Sequence, residues 1–101
     1  FMIIPAKPTP TSLKSKKSKQ ITYSWNKDSN ASGYQIQYST SSSFSKKKTK
    51  SYIISKNSTK SKTFSSLKKK KKYYVRMRSY KAIDGKRQFS SWSKKMSVKT
   101  K

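Results

Sequence analysis

The run Tyr73-Tyr74-Val75-Arg76-Met77-Arg78 decides the fold. Tyr73, Val75 and Met77 alternate with Tyr74, Arg76 and Arg78. Successive side chains of a strand point to opposite faces, so a period of two marks a half-buried strand. The same alternation recurs on both sides of this run. Ile21, Tyr23 and Trp25 alternate with Thr22 and Ser24; Tyr34, Ile36 and Tyr38 alternate with Gln35 and Gln37; Met96 and Val98 alternate with Ser97 and Lys99. Weaker runs surround Leu13, residues 52–54, and Phe64 with Leu67. Together they predict about seven short strands, the number expected of a small two-sheet sandwich. No stretch keeps apolar residues at i, i+3, i+4 and i+7 long enough to bury one face of a helix. The chain reads as all-β.

Turn chemistry separates the strands. Residues 30–33 divide the Trp25 run from the Tyr34 run, and the polar residues 39–48 divide the Tyr38 run from the Tyr52 run. Asp84-Gly85 is a two-residue hairpin signal, because both residues tolerate positive φ. It joins the strand holding Tyr73 and Tyr80 to the one ending in Met96 and Val98. Pro5, Pro8 and Pro10 crowd the beginning of the chain, where missing backbone donors favour an extended segment. Residues 1–9 therefore read as a linker and residues 10–101 as one domain. The expected core is Leu13, Ile21, Tyr23, Trp25, Tyr34, Ile36, Tyr38, Phe64, Leu67, Tyr73, Val75, Met77, Met96 and Val98.

Composition narrows the function. The 101 residues leave room for a single small domain. Hydrophobic residues make up only 30%, yet aromatics reach 13%, too many for a disordered tail. The chain has no Cys, which excludes a disulfide framework, a thiolate metal site and a cysteine nucleophile. It also has no His, the commonest general base and metal ligand. Its only acidic residues, Asp28 and Asp84, lie far apart. Ser/Lys pairs can be catalytic, but in a chain so rich in both the pairing is not specific. No enzyme, metal or cofactor is expected. The apolar run Phe1-Met2-Ile3-Ile4, closed by Pro5, is too short to span a bilayer or form a signal-peptide core. A chain beginning at Phe reads as a fragment of a larger polypeptide.

The ordered set Leu13, Ile21-x-Tyr23-x-Trp25, Gly33-Tyr34-x-Ile36-x-Tyr38-Ser39, Phe64-x-x-Leu67, Tyr73-x-Val75-x-Met77 and Ser97-Val98-Lys99-Thr100 resembles a fibronectin type III domain. It looks most like the Lys-rich versions in secreted and wall-attached proteins of Gram-positive bacteria. The resemblance implies a seven-stranded, immunoglobulin-like sandwich with three strands (A, B, E) packed on four (C, C′, F, G). It implies that Trp25 is the core tryptophan of strand B. It also places Tyr73 at the tyrosine corner, where the phenol bonds the backbone of the preceding turn. The family usually carries a glycine between that Leu and Tyr; here Lys68, Lys69, Lys70, Lys71 and Lys72 fill the turn without one. If the glycine position falls on Lys70, a positive φ there carries strain. Phe89-Ser90-Ser91-Trp92-Ser93 resembles the Trp-Ser-x-Trp-Ser motif of cytokine-receptor modules, whose rings stack on arginines of the neighbouring strand. That resemblance implies a surface ladder of Tyr74, Arg76, Arg78, Phe89 and Trp92, either a staple for the last strand or a binding platform. The adhesive tripeptide Arg-Gly-Asp is absent; the loop reads Asp84-Gly85-Lys86-Arg87.

Lys+Arg number 27 against two acidic residues, a formal charge of +25. Such a surface releases counterions from any polyanion. The densest clusters are Lys46, Lys47 and Lys48; Lys68, Lys69, Lys70, Lys71 and Lys72; and Lys14 with Lys16 and Lys17. They fall in separate predicted loops. Only Arg76, Arg78 and Arg87 offer a bidentate fork, and no helix is available for a DNA groove, so nucleic-acid binding is expected to be nonspecific. The expected role is a non-catalytic, monomeric spacer module of a secreted or cell-wall-associated bacterial protein, positioning its neighbouring domains without membrane insertion. The alternatives are attachment to anionic polymers such as teichoic acid or glycosaminoglycan, and recognition of a protein ligand. Asn30-Ala31-Ser32 and Asn57-Ser58-Thr59 match the glycosylation acceptor pattern, which carries no weight in a bacterial protein.

Overall fold

The structure is a computed structural model and describes residues 7–27 and 31–101. The opening apolar run, Pro5, Asp28 and Asn30 lie outside the described residues. Eight strands form: β1 (Pro10–Lys14), β2 (Ile21–Trp25), β3 (Gly33–Ser39), β4 (Thr49–Ile54), β5 (Ser61–Phe64), β6 (Lys72–Ile83), β7 (Lys86–Phe89) and β8 (Met96–Lys99). They make two sheets. The smaller has the order β1-β2-β5; the larger has β4-β3-β6, with β7 and β8 both paired to β6. All pairings are antiparallel, and register places Ile36 opposite Met77 and Tyr38 opposite Val75. The inward faces read from the two-residue period therefore meet between the sheets.

The strand count corrects the expected seven. The last strand is broken in two, because Phe89 lies opposite Tyr80 while Met96 lies opposite Val75. Seven steps along one chain thus face five along the other, and a regular ladder cannot absorb the surplus. Two serines carry the pairing through the gap. Ser90 N–H donates to the Ser79 carbonyl (2.9 Å) and Ser93 N–H to the Met77 carbonyl (2.7 Å). In return, Ser79 N–H donates to Ser90 Oγ and Met77 N–H to Ser93 Oγ, each at 3.0 Å. Side-chain hydroxyls stand in for the missing backbone acceptors, so both buried amides of β6 stay satisfied.

Aromatic residues dominate the core. The Trp25 ring lies 5.7 Å from both Tyr23 and Tyr34, and Tyr38 stacks on Phe64 at 4.5 Å. All the expected core residues are in it, with Leu13, Tyr38, Met96 and Val98 only partly buried. Ala31 and Ile54 join them, and Tyr80 is buried as well. Gly33 is required where it stands: a Cβ there would run into the Ile54 carbonyl and the Tyr80 ring.

The turns behave as their residues dictate. Asp84 (φ 50) and Gly85 (φ 78) form the tip between the paired Ile83 and Lys86. Positive φ at both central residues is the type I′ geometry that matches strand twist. Lys68 N–H donates to Tyr73 Oη at 2.8 Å, which forms the tyrosine corner. Lys70 does take a left-handed conformation, φ 52. Thr100 holds the turn in that shape: its hydroxyl donates to the Lys68 carbonyl (2.5 Å) and accepts from Lys71 N–H (2.9 Å).

The chain enters and leaves at opposite poles. Asn26 N–H donates to the Thr9 carbonyl beside the Pro10–Trp25 pair. At the other end of β1, Lys101 N–H donates to Ser15 Oγ.

Candidate functional site

Arg76 and Arg78 are two residues apart on β6, so both guanidinium groups reach the outer face of the larger sheet. There they alternate with aromatic rings. Arg76 lies 4.2 Å from the Phe44 ring and 4.2 Å from the Trp92 ring. Arg78 lies 4.4 Å from Trp92 and 3.8 Å from Phe89. The row continues through Tyr80, whose ring is 5.9 Å from Phe89 and carries the Arg87 guanidinium at 5.3 Å. Four of the five expected ladder residues are thus brought together. Tyr74 stands beside the row; its ring faces Lys72 (5.4 Å) and Lys95 (5.6 Å) rather than an arginine.

The neighbouring strand fixes the arginines in plane. Register sets Gln37 opposite Arg76 and Gln35 opposite Arg78. Gln37 Oε1 accepts from Nε (3.0 Å) and Nη2 (2.8 Å) of Arg76, and Gln35 Oε1 accepts from Nε of Arg78 (2.7 Å). Partial burial pulls both guanidiniums below the usual arginine range, Arg78 also through its neighbour Arg76. Ring faces and amide oxygens offset that cost, since both present negative potential to the cations.

Phe44 was not legible in the sequence. It is the one aromatic of the polar stretch 39–48, and it turns back over the sheet because its own backbone adopts φ 55, with its N–H on the Ser41 carbonyl. Residues 89–93 show why the ladder and the broken strand belong together. Phe89 and Trp92 face the arginines, while the buried Ser90 and Ser93 bond β6. Tyr23 reaches the same segment from the opposite sheet. Burial pushes its phenol up to about 12, and nearby Ser93 offsets this slightly. Ser93 Oγ is aligned on Met77 N–H, however, and Tyr23 Oη has no hydrogen-bond partner among the described residues.

The lysine clusters occupy three loops but one pole. Leu67 N–H donates to the Lys19 carbonyl, tying the β1–β2 turn to the β5–β6 turn, and Lys19 N–H donates to the Lys101 carbonyl. A hollow of about 280 Å³ lies between the β3–β4 loop and the β5–β6 turn, and Lys47, Lys48 and Lys68 line it together with Lys50. Lys46 faces a second hollow, of about 330 Å³, beside Gln37, Phe44 and Arg76. Lys69, Lys70 and Lys71 are exposed on their turn, and Lys72 covers Tyr74. Asp84, the only acidic side chain among the described residues, sits in the β6–β7 turn at the opposite pole. The second sequon, Asn57, donates its side-chain amide to the Ala31 carbonyl. Among the described residues, no cluster of His, Cys, Asp or Glu could hold a metal ion, and no helix is long and apolar enough to cross a membrane.

A model of the fibronectin type III domain matches residues 6–96. No curated protein matches the chain. Among solved structures it is similar to the crystal structure of the chicken CNTN1 FN1-FN3 domains, at 22% identity and a TM-score of 0.76 over 95% of this chain and 32% of that one. It is also similar to the fn3 domain of human contactin 1 in solution, at 17% identity and a TM-score of 0.75 over 96% of this chain and 79% of that one. A computer-based redesign of a β-sandwich protein matches at 14% identity and a TM-score of 0.70, over 95% and 91%. The chain spans about a third of the length of the chicken structure.

Proposed function

The chain belongs to the fibronectin type III family, and from that premise we propose that it is a non-catalytic spacer module of a larger extracellular protein, fixing the distance and orientation of its neighbours. One observation carries this reading. The chain enters beside Trp25 and Asn26 and leaves beside Ser15, at opposite ends of the sandwich. Modules connected that way follow one another end to end, each adding its own length to the array. The ladder suits this role, because it clamps the interrupted final strand to β6 just before the chain leaves. We read the abundance of Lys and Ser as the mark of the bacterial, wall-associated kind. The test is an exchange within the parent polypeptide. Replacing residues 10–101 with an unrelated sandwich of equal length should preserve the activity of the flanking domains, and deleting them should not. Loss of activity on exchange would overturn the spacer reading.

The lysine pole favours a second reading, electrostatic adhesion to an anionic polymer. Three loops crowd cations together with no carboxylate among them, so a polyanion that binds there releases counterions. Binding of that kind weakens steeply with salt, and a titration against added salt measures it.

A further inference from the structure

We propose that the hollow between the β3–β4 loop and the β5–β6 turn binds one charged sugar unit of an anionic polysaccharide; this rests on the adhesion reading and gives it a site. The floor and the rim call for different parts of such a ligand. Tyr38, Leu67 and Tyr73 contribute the floor, and each is held from behind. Tyr38 is stacked on Phe64 at 4.5 Å, Leu67 is tied through its N–H to the Lys19 carbonyl, and the Tyr73 phenol accepts from Lys68 N–H. A floor fixed before binding loses little freedom on binding. Its apolar surface suits the C–H face of a pyranose ring.

The rim supplies charge. Exposed Lys47, Lys48, Lys50 and Lys68 line the hollow, and the only acidic side chain among the described residues, Asp84, is at the far pole. Lysine ammonium groups act as point charges without the geometric demand of a guanidinium fork, so sulfate, carboxylate and phosphate substituents all satisfy them. The volume of about 280 Å³ is slightly under the usual range for small-molecule sites. It suits a single sugar unit, and the exposed Lys69 and Lys71 beside it can hold the chain that continues outward. A stiff DNA duplex exposes phosphates but cannot lower a ring onto the floor, which separates the two kinds of polyanion.

The experiment is an NMR titration of the labelled protein at about 0.15 M salt, with a heparin hexasaccharide, a purified teichoic acid and a short DNA duplex. Two triple variants accompany the wild type. Lys47→Gln with Lys48→Gln and Lys68→Gln alters the rim; Lys14→Gln with Lys16→Gln and Lys17→Gln removes the same charge from the same pole. All six side chains are exposed, and thermal melts verify that both variants fold. Heparin or teichoic acid is expected to shift the Leu67 methyl and Tyr38 ring signals, and the polymer that does so identifies the source of the ligand. The rim variant should lose about tenfold or more in affinity, while the control loses less than about threefold. Equal losses in the two variants, or a DNA complex with the same Leu67 shifts, overturn the site and leave adhesion diffuse. Failure of the wild type to bind any of the three polymers overturns the adhesion reading itself.

Discussion

Trp92→Ala tests whether the ladder holds the fold together. The indole stands between two guanidiniums, 4.2 Å from Arg76 and 4.4 Å from Arg78. Each pair contributes about 0.5–1 kcal/mol at an exposed site, so the two together contribute about 1–2 kcal/mol. Trp92 is half-buried, and losing about 100 Å² of covered apolar surface costs about another 2.5 kcal/mol. Regained side-chain freedom and better solvation of the arginines return part of this. The net loss expected is about 2–4 kcal/mol, a fall in Tm of about 10–25 °C for a domain of this size. Thermal and urea unfolding measure it. A second readout localises it: the amides of Met77 and Ser79, which donate to Ser93 and Ser90, should exchange faster in the variant. A double-mutant cycle with Arg76→Gln should give a coupling of about 0.5–1 kcal/mol. The cycle also cancels the relief of repulsion that comes from removing any one cation. Stability within about 0.5 kcal/mol of wild type, with unchanged exchange at both amides, would refute the structural role of the ring.

The other expectations concern charge and backbone. Burial keeps the Tyr23 phenol neutral up to about pH 12 in the fold, whereas in the unfolded chain it ionises near 10. Its stabilisation is therefore complete below about pH 10 and is lost as pH rises through 12, at about 1.4 kcal/mol per unit. Tyr23→Phe should flatten that alkaline decline in urea unfolding, since lysine ionisation is common to both proteins; parallel curves refute this. Lys70→Gly should stabilise by about 0.5–1 kcal/mol, because the residue is left-handed at φ 52 and glycine adopts that conformation without the Cβ penalty. Lys70→Gln removes the same charge without that relief, so equal denaturation midpoints for the two variants would refute the strain. The charge of +25 repels itself, and the unfolding midpoint should rise between low salt and about 0.1 M, where the Debye length falls to about 10 Å. A flat or falling midpoint counts against that.

What the sequence makes legible here is whatever a local period encodes. Tyr73, Val75 and Met77 announce their strand because one face is buried, and Asp84-Gly85 announces its hairpin because few pairs tolerate that backbone. Arg76 and Arg78 are in phase, and the resemblance of residues 89–93 to the Trp-Ser-x-Trp-Ser motif adds Phe89 and Trp92, so most of the ladder shows as well. Phe44 does not, because a loop's return across a sheet depends on its own φ and not on any period. The break between β7 and β8 is hidden for a related reason. Ser90 and Ser93 are visible, but the amides of Met77 and Ser79 that recruit them become neighbours only once β6 lies beside them. The meeting of the lysine loops is hidden too. Which turns share a pole follows from strand connectivity, and no feature of the lysines records it.

The division of labour between the two basic residue types explains how so polar a chain folds at all. Only 30% of its residues are hydrophobic, which leaves the space between the sheets thinly supplied. The three arginines, Arg76, Arg78 and Arg87, each lie on an aromatic ring of the outer face. Their stems and planar heads extend apolar cover to a side of the larger sheet that would otherwise face water. Phe44, Tyr80, Phe89 and Trp92 become partners in that layer, and Tyr80 is buried by it although it lies outside the space between the sheets. The lysines do the opposite: those of the turns stay exposed and keep a compact ammonium in solvent. Putting lysines in the place of these arginines would therefore fail. A lysine at position 78 could not lie flat between Trp92 and Phe89 while bonding Gln35.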